Sequence, residues 1–185
     1  SEIWLGTLNG PTQMNFSMDG RITIDLYDRY LDNILFDEAA RKYITGIGYQ
    51  WAGQHVIGRT HESFPELKLM QTENECGDGS NSYAYAQYVY NLMVHYLKQG
   101  VNSYTYWNMV LEPGGLSTWG WHQNAMVTVD PETRDYTFNP EYYVMRHMTQ
   151  HVKPGAKRLG VTGHWAGASI AFLKPDGSKV IVIQN

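Results

Sequence analysis

The sequence predicts an α/β fold: half of a parallel (β/α)8 barrel, followed by a few antiparallel strands of a separate sheet. Three observations carry this. Apolar, β-branched runs alternate four times with helical stretches, which argues for a parallel sheet with right-handed crossovers. After Pro154 the texture changes to short strand-like runs separated by the turn signal "PDGS". The 185 residues suffice for one good core and leave no room for a second full domain. The expected division is residues 1–153 for the half-barrel and 154–185 for the antiparallel strands.

Taken in order, "IWLGTL" (3–8) reads as a strand closed by the turn "NGP". Residues 23–43 read as mostly helical, with Leu26, Tyr30, Ile34 and Leu35 on one apolar face and Asp37 capping a short second helix through "EAARKY". "YITGIGYQW" (43–51) mixes β-branched and small residues, as a buried strand does, and 55–65 reads as loop and helix. "ELKLMQTE" (66–73) is the next strand. "SYAYAQYVYNLMVHYLKQ" (82–99) is an amphipathic helix ended by Gly100. "VNSYTYWNMVL" (101–111) is a further strand before a long Gly-rich loop. The helix "PEYYVMRHMTQHV" (140–152) begins with Pro at its first turn. "RLGVTGHW", "ASIAFLK" and "KVIVIQ" complete the antiparallel set. Four parallel strands alone leave two bare edges, and unpaired N–H and C=O groups invite another chain. A homo-oligomer, or association with the other half of a barrel, is therefore expected.

Composition narrows the function. Lys plus Arg number 14 against 18 Asp plus Glu, net charge −4, with no basic block, which argues against nucleic acid and anionic membrane as partners. No apolar run approaches the roughly 20 residues of a membrane span. Aromatic residues mix with Asn, Gln, His and Gly in "GYQWAGQH", "YTYWNM" and "STWGWHQN", a pairing of ring faces with hydrogen-bonding groups that suits flat, hydroxylated ligands such as carbohydrates; each ring alone is as readily an ordinary core or rim aromatic. The single Cys76 rules out an internal disulfide and leaves the compartment open, with a secreted or periplasmic setting ahead of a cytoplasmic one. The opening "SEIWLGTLNG" has neither an initiator Met nor a signal peptide, as in a piece of a longer parent or a processed product.

The charge-sparing chain places Glu73, Glu75 and Asp78 together in "MQTENECGDG" (70–79), where a strand ends. In a parallel barrel the C-terminal strand ends line the active site. With a period of two, Leu67, Leu69, Gln71 and Glu73 share one side, and Glu73 meets the mouth. The preceding strand brings Gln50 and Trp51 to the matching level, and the following strand brings Trp107 and Asn108. A carboxylate between tryptophans suits glycoside hydrolysis, in which an acid attacks or stabilises an oxocarbenium-like centre while rings hold the sugar. A Glu in this place also serves simply to cap a turn.

"KYITGIGYQW", "LKLMQTENECGDG", "YTYWNMVLEPGGLSTWGWHQN", "FNPEYYVMRHMTQHVKPGAKRLG" and "PDGSKVIVIQN" together resemble, in order and near spacing, the C-terminal half of glycoside hydrolase family 30, the glucosylceramidase-like β-glycosidases. The resemblance implies a retaining β-glycosidase on a TIM barrel, of which these strands would be equivalent to strands 5 to 8 and the final antiparallel strands part of an incomplete flanking β-sandwich, acting on β-linked glucosyl or related sugars without a cofactor or metal. Its nucleophile is a Glu after Ser or Thr at the end of the seventh strand. Thr72-Glu73 fits that pattern better than Glu75, which remains an alternative acid. Trp51, Trp107, Asn108, Gln50 and Trp119 would contact the sugar. The family's general acid/base lies in an Asn-Glu-Pro context on the fourth strand, which has no counterpart here. Retaining chemistry requires two carboxyl groups about 5–5.5 Å apart. The second acid would then be local, with Glu75, Asp78 and Glu112 nearest in sequence, or would be Glu112 of "LEPGG" supplied by a partner copy. A non-catalytic carbohydrate-binding half-barrel is the alternative. His147 and His151, four apart on a helix, lack an acidic third ligand, and "GDGSNS" lacks the acidic spacing of an EF-hand.

Overall fold

The computed structural model describes residues 2–8, 12–16, 22–74 and 76–185, and the chain divides into two compact units. The first unit comprises residues 1–74 and 99–105. It begins with β1 (Ile3–Leu8), β2 (Thr12–Phe16) and β3 (Ile22–Leu26), then α1 (Tyr27–Leu35), α2 (Glu38–Arg41) and β4 (Ile44–Gln50). A 3-10 turn over Trp51–Val56 leads into α3 (Ile57–Ser63), which precedes β5 (Lys68–Glu73).

β1, β4 and β5 form a parallel sheet in chain order, with Leu5 opposite Ile47, Ile47 opposite Leu69, and Tyr49 opposite Gln71. Ile47, Tyr49 and Leu69 are fully buried along this register, so one face of the sheet carries the core. β4 passes close to both neighbours at Gly46, where a Cβ would lie 2.6 Å from the Lys68 carbonyl oxygen and 2.6 Å from the Trp4 ring. Only glycine fits there.

Two expectations are corrected here. Residues 22–26 form a strand, antiparallel to β2, and the helix starts only at Tyr27. The β-branched alternation of "RITIDL" outweighs the helical reading. Among the described side chains of α1, Leu31 and Leu35, one helical turn apart, are buried and Ile34 is half-buried, while the side chains of Leu26 and Tyr30 lie outside the described residues. The strand expected over 101–111 is reduced to one parallel bridge between Met70 and Ser103 and a two-residue strand at its far end, Val110–Leu111. Asn102 N donates to Leu69 O (2.8 Å) and Gln71 N to Ser103 O (2.9 Å), but Thr105 N turns to the Gln71 side chain, donating to Oε1 at 2.6 Å. A side chain replaces the ladder carbonyl, and pairing stops. The expected cap is present: Asp37 Oδ1 accepts from Ala39 N at 2.9 Å.

The second unit comprises residues 75–98 and 106–185. Its centre is α4 (Tyr83–Lys98), which buries Ala86, Val89, Tyr90, Leu92, Met93, Val94 and Tyr96. These positions form one broad face, while Ala84, Gln87, Tyr88 and Asn91 leave the opposite stripe exposed, as in an amphipathic helix. β6 (Val110–Leu111), β7 (Val127–Val129) and β8 (Tyr136–Phe138) form a small sheet that sequence reading did not anticipate. α5 (Pro140–Thr149) packs on α4. β9 (Lys157–Leu159), β10 (Ser169–Leu173) and β11 (Lys179–Ile183) make an antiparallel sheet with β10 in the middle. Ile170, Ala171 and Phe172 of β10 are buried, whereas β11 alternates exposed and half-buried residues, as an outer strand does. Lys98 Nζ donates to Ala166 O (2.7 Å), and the Tyr90 hydroxyl lies 3.0 Å from the carbonyl oxygens of Ala168 and Val182, tying α4 to this sheet. The "PDGS" hairpin closes through Lys174 N to Ser178 O (2.8 Å) and Gly177 N to Lys174 O (3.0 Å), as its residues predict. Among the described residues no helix is long and apolar enough to cross a membrane.

Candidate active site

β5 ends irregularly. Tyr49 pairs with Gln71, but the next pair is Gln50 with Glu73, so Thr72 is an extra residue on the β5 side. Such a bulge re-aims the side chain that follows it. Thr72 Oγ1 donates to Tyr49 O at 2.9 Å and fastens the bulge to β4. Glu73 therefore emerges half-buried at the strand end, beside the end of β4.

Trp51 stands one residue beyond β4 with φ +50°. A bulky side chain in the left-handed region is uncommon, costs about 1–2 kcal/mol, and marks places where surroundings over-determine the backbone. What the conformation delivers is visible in the bonding: Trp51 Nε1 donates to Glu73 Oε1 at 3.2 Å. The residue remains 38% exposed beside the carboxylate. Gln50, Trp51 and Glu73 are thus gathered in the first unit.

The other anticipated residues belong to the second unit. Trp107 and Asn108 lie outside any strand, in the loop before β6, joined by a cis peptide. Asn108 Nδ2 donates to Gln123 Oε1 at 3.2 Å, and its carbonyl accepts from Met126 N at 3.1 Å. Trp107 is exposed. Trp119 is the most exposed of the tryptophans, at 72%, and stacks on Trp121 with ring centroids 5.5 Å apart, at the tip of a loop closed by Ser117 N donating to Trp121 O at 2.9 Å. Glu112 is exposed and lines an open cavity of about 510 Å³ with Pro113, Val129 and Pro131. Asp78 is engaged locally: Ser80 Oγ (2.6 Å) and Ser80 N (3.0 Å) both donate to its Oδ1 and hold its carboxyl below the usual range, the opposite of what a proton donor needs. Glu75 lies outside the described residues. Among the described residues no group of three His, Cys, Asp or Glu side chains is placed to hold a metal ion.

Sequence reading missed a buried polar cluster in the second unit built on Asn124, Asn139 and Glu141, of which Asn124 and Glu141 have no exposed surface. Asn139 precedes α5 in the cap position, yet its Nδ2 donates elsewhere, to Ala125 O and Thr128 Oγ1, both at 2.8 Å. The run "HQN" between aromatic segments and the "NPE" at the helix start were the available signals. Neither says that the side chains turn inward.

Residues 17–152 match the glycosyl hydrolase family 30 TIM-barrel domain. The chain is 29% identical over 167 residues to putative glucosylceramidase 4 of Caenorhabditis elegans, covering 82% of this chain and 32% of that protein. It is 26% identical over 203 residues to the lysosomal acid glucosylceramidase of Mus musculus, covering 95% and 38%. The crystal structure of SrfJ from Salmonella typhimurium superposes with a TM-score of 0.74 at 23% identity, over 84% of this chain and 37% of that one. The chain thus spans about a third of the length of the curated relatives it matches. With the matched segment covering most of its residues, the chain belongs to the glycosyl hydrolase family 30 TIM-barrel domain family.

Proposed function

We propose that the chain is the C-terminal half of a retaining β-glycosidase barrel acting on β-linked glucosyl or related sugars, with Glu73 as nucleophile. The observation that carries this reading is the Trp51 Nε1 bond to Glu73 Oε1 across the ends of two adjacent parallel strands. Residues 1–153 are the half-barrel in this reading, and 154–185 the strands of a flanking sandwich. Names of relatives that specify glucosylceramidases support the sugar class.

In the reaction, the indole N–H holds Oε1, so Oε2 is the oxygen that attacks the anomeric carbon as the glycosidic bond breaks. A second carboxyl group protonates the departing oxygen, and a covalent glycosyl-enzyme forms. That group then takes a proton from water, which attacks the same carbon and releases Glu73. The second carboxyl is supplied by the other half of a barrel, either a separate partner or Glu112 of a second copy. In the first unit Trp51 offers a ring face and Gln50 an amide to the sugar; for Trp107, Asn108 and Trp119 of the second unit, sugar contact rests on the resemblance to the family.

A non-catalytic carbohydrate-binding half-barrel is the second reading, favoured by the stacked and exposed Trp119 and Trp121, which present an aromatic platform needing no acid. One experiment separates them. Incubation with an activated 2-deoxy-2-fluoro-β-glucoside, whose reactive leaving group needs little protonation, is followed by intact mass and peptide mapping. One added fluoroglycosyl group on the Glu73 peptide, lost in Glu73→Gln, is expected. Binding of the sugar without an adduct, or an adduct elsewhere, overturns the nucleophile assignment.

A further inference from the structure

We propose that Glu141, at the start of α5, is a positioning residue that acts through Asn124 to clamp the 76–81 loop, the segment through which the chain leaves the β5 end carrying Glu73. The inference takes its functional meaning from the nucleophile reading above, but its geometry lies wholly within the second unit. Asn124 is the hub. Its Oδ1 accepts from Gly79 N at 2.8 Å and Asn81 N at 3.3 Å, its backbone N donates to Cys76 O at 2.6 Å, and its Nδ2 donates to Glu141 Oε1 at 2.7 Å. Two backbone N–H donors on one oxygen fix which end of the amide is which, so Glu141 must present an acceptor. Asn81 closes the return, its Oδ1 accepting from Ala125 N at 2.9 Å.

The loop is shaped to this hub. Gly77 has φ +82°, and a Cβ there would lie 2.4 Å from the Asn124 Cγ, so the backbone rests directly on the amide. Glu141 itself is 0% exposed, and its Oε2 has no hydrogen-bond partner among the described residues. A carboxylate so placed is penalised chiefly by burial, which raises its pKa; hydrogen bonds from its own backbone N–H and from Asn124 oppose this, and the charge of Asp78, inside the clamped loop, adds to it. The neutral acid, with its proton on Oε2 and Oε1 accepting from Asn124, is the form that fits. On ionisation a buried charge drives the side chain toward water and releases the hub.

The test is hydrogen exchange of the Gly79 and Asn81 amides from about pH 4 to 9, with protection corrected for the intrinsic rate. In the wild type, protection falls by about tenfold or more as pH rises through the raised Glu141 pKa, as expected for loss of a buried partner. Glu141→Gln keeps a neutral acceptor at every pH, and its protection stays high and flat. Glu141→Met removes the acceptor, and its protection is low throughout. Coincident wild-type and Glu141→Gln profiles overturn the clamp, and this comparison needs no other variant to fold. Trapping of Glu73 by the fluoroglucoside, followed in parallel, keeps the two ideas apart: a wild type that exchanges as described but is never trapped loses the nucleophile reading alone, and one that is trapped with a flat exchange profile loses the clamp alone.

Discussion

Glu73 and Glu141 are carboxylic acids placed under opposite physical constraints, one at the end of a strand in the first unit and one in the opening turn of a helix in the second. Glu73 is half-buried, receives an indole N–H on one oxygen, and is reached through a bulge and a residue at positive φ. Glu141 has no exposed surface and, among the described residues, a single side-chain partner, yet sits in regular helix behind Pro140. The first arrangement spends backbone regularity to aim a charge outward. The second spends desolvation to hold an acid inward, with its pKa raised. Chemistry on a ligand needs the former, and fixing a loop needs the latter.

The largest effect expected on this contrast comes from Glu73→Gln, which removes the attacking oxygen; the rate of covalent trapping should fall at least ~10³-fold, about 4 kcal/mol of barrier, with the urea midpoint nearly unchanged. An undiminished adduct would erase the distinction between the two acids. Next is Glu141→Met, which strands the buried Asn124 amide and should cost about 1–3 kcal/mol in urea unfolding, whereas Glu141→Gln should cost less than about 1. The pH dependence has a definite sign: because folding raises the Glu141 pKa, its contribution to stability is fully present below the ordinary glutamate value of 4.5 and is lost as pH rises through the folded-state value. Stability that instead rose with pH across that window in the wild type, relative to Glu141→Gln, would reverse the assignment.

Trp51→Phe keeps a ring and removes the donor to Glu73, so trapping should slow by about tenfold while thermal stability stays within about 0.5 kcal/mol. The smallest effect is that of Asp78→Asn. Withdrawing this like charge from the neighbourhood of Glu141 should let the loop begin to lose exchange protection at a slightly lower pH, and an onset moving upward would show that Asp78 acts otherwise.

Legibility in the sequence followed the range of the interactions. β1, β4, β5, α4 and α5 were readable because apolar spacing and end signals act over a few residues, as were the Asp37 cap and the "PDGS" hairpin. β3 was misread as helix because five residues are too short for either period to declare itself, and partner strand β2 decides. The region 104–109 looked like a strand by composition, but Gln71 Oε1 captures the Thr105 N–H that a ladder would have used. At the site, Gln50, Trp51 and Glu73 were named from alternation and from likeness to the family, while the Thr72 bulge and the left-handed Trp51 were not foreseeable from residue types.

The order of strands and helices, the scarcity of charge, the carboxylate at a strand end and the kinship to a hydrolase family were written in the sequence, because each depends on residue identity at short separations. Tertiary structure alone decided which polar groups turn inward. Asn124 is 43 residues from Asn81 and 17 from Glu141, and nothing local distinguishes a glutamate in a first helical turn that faces water from one that is sealed beneath a loop. Burial and pairing across such distances are settled only when separate stretches of chain pack, and the upward shift of the Glu141 pKa comes with them.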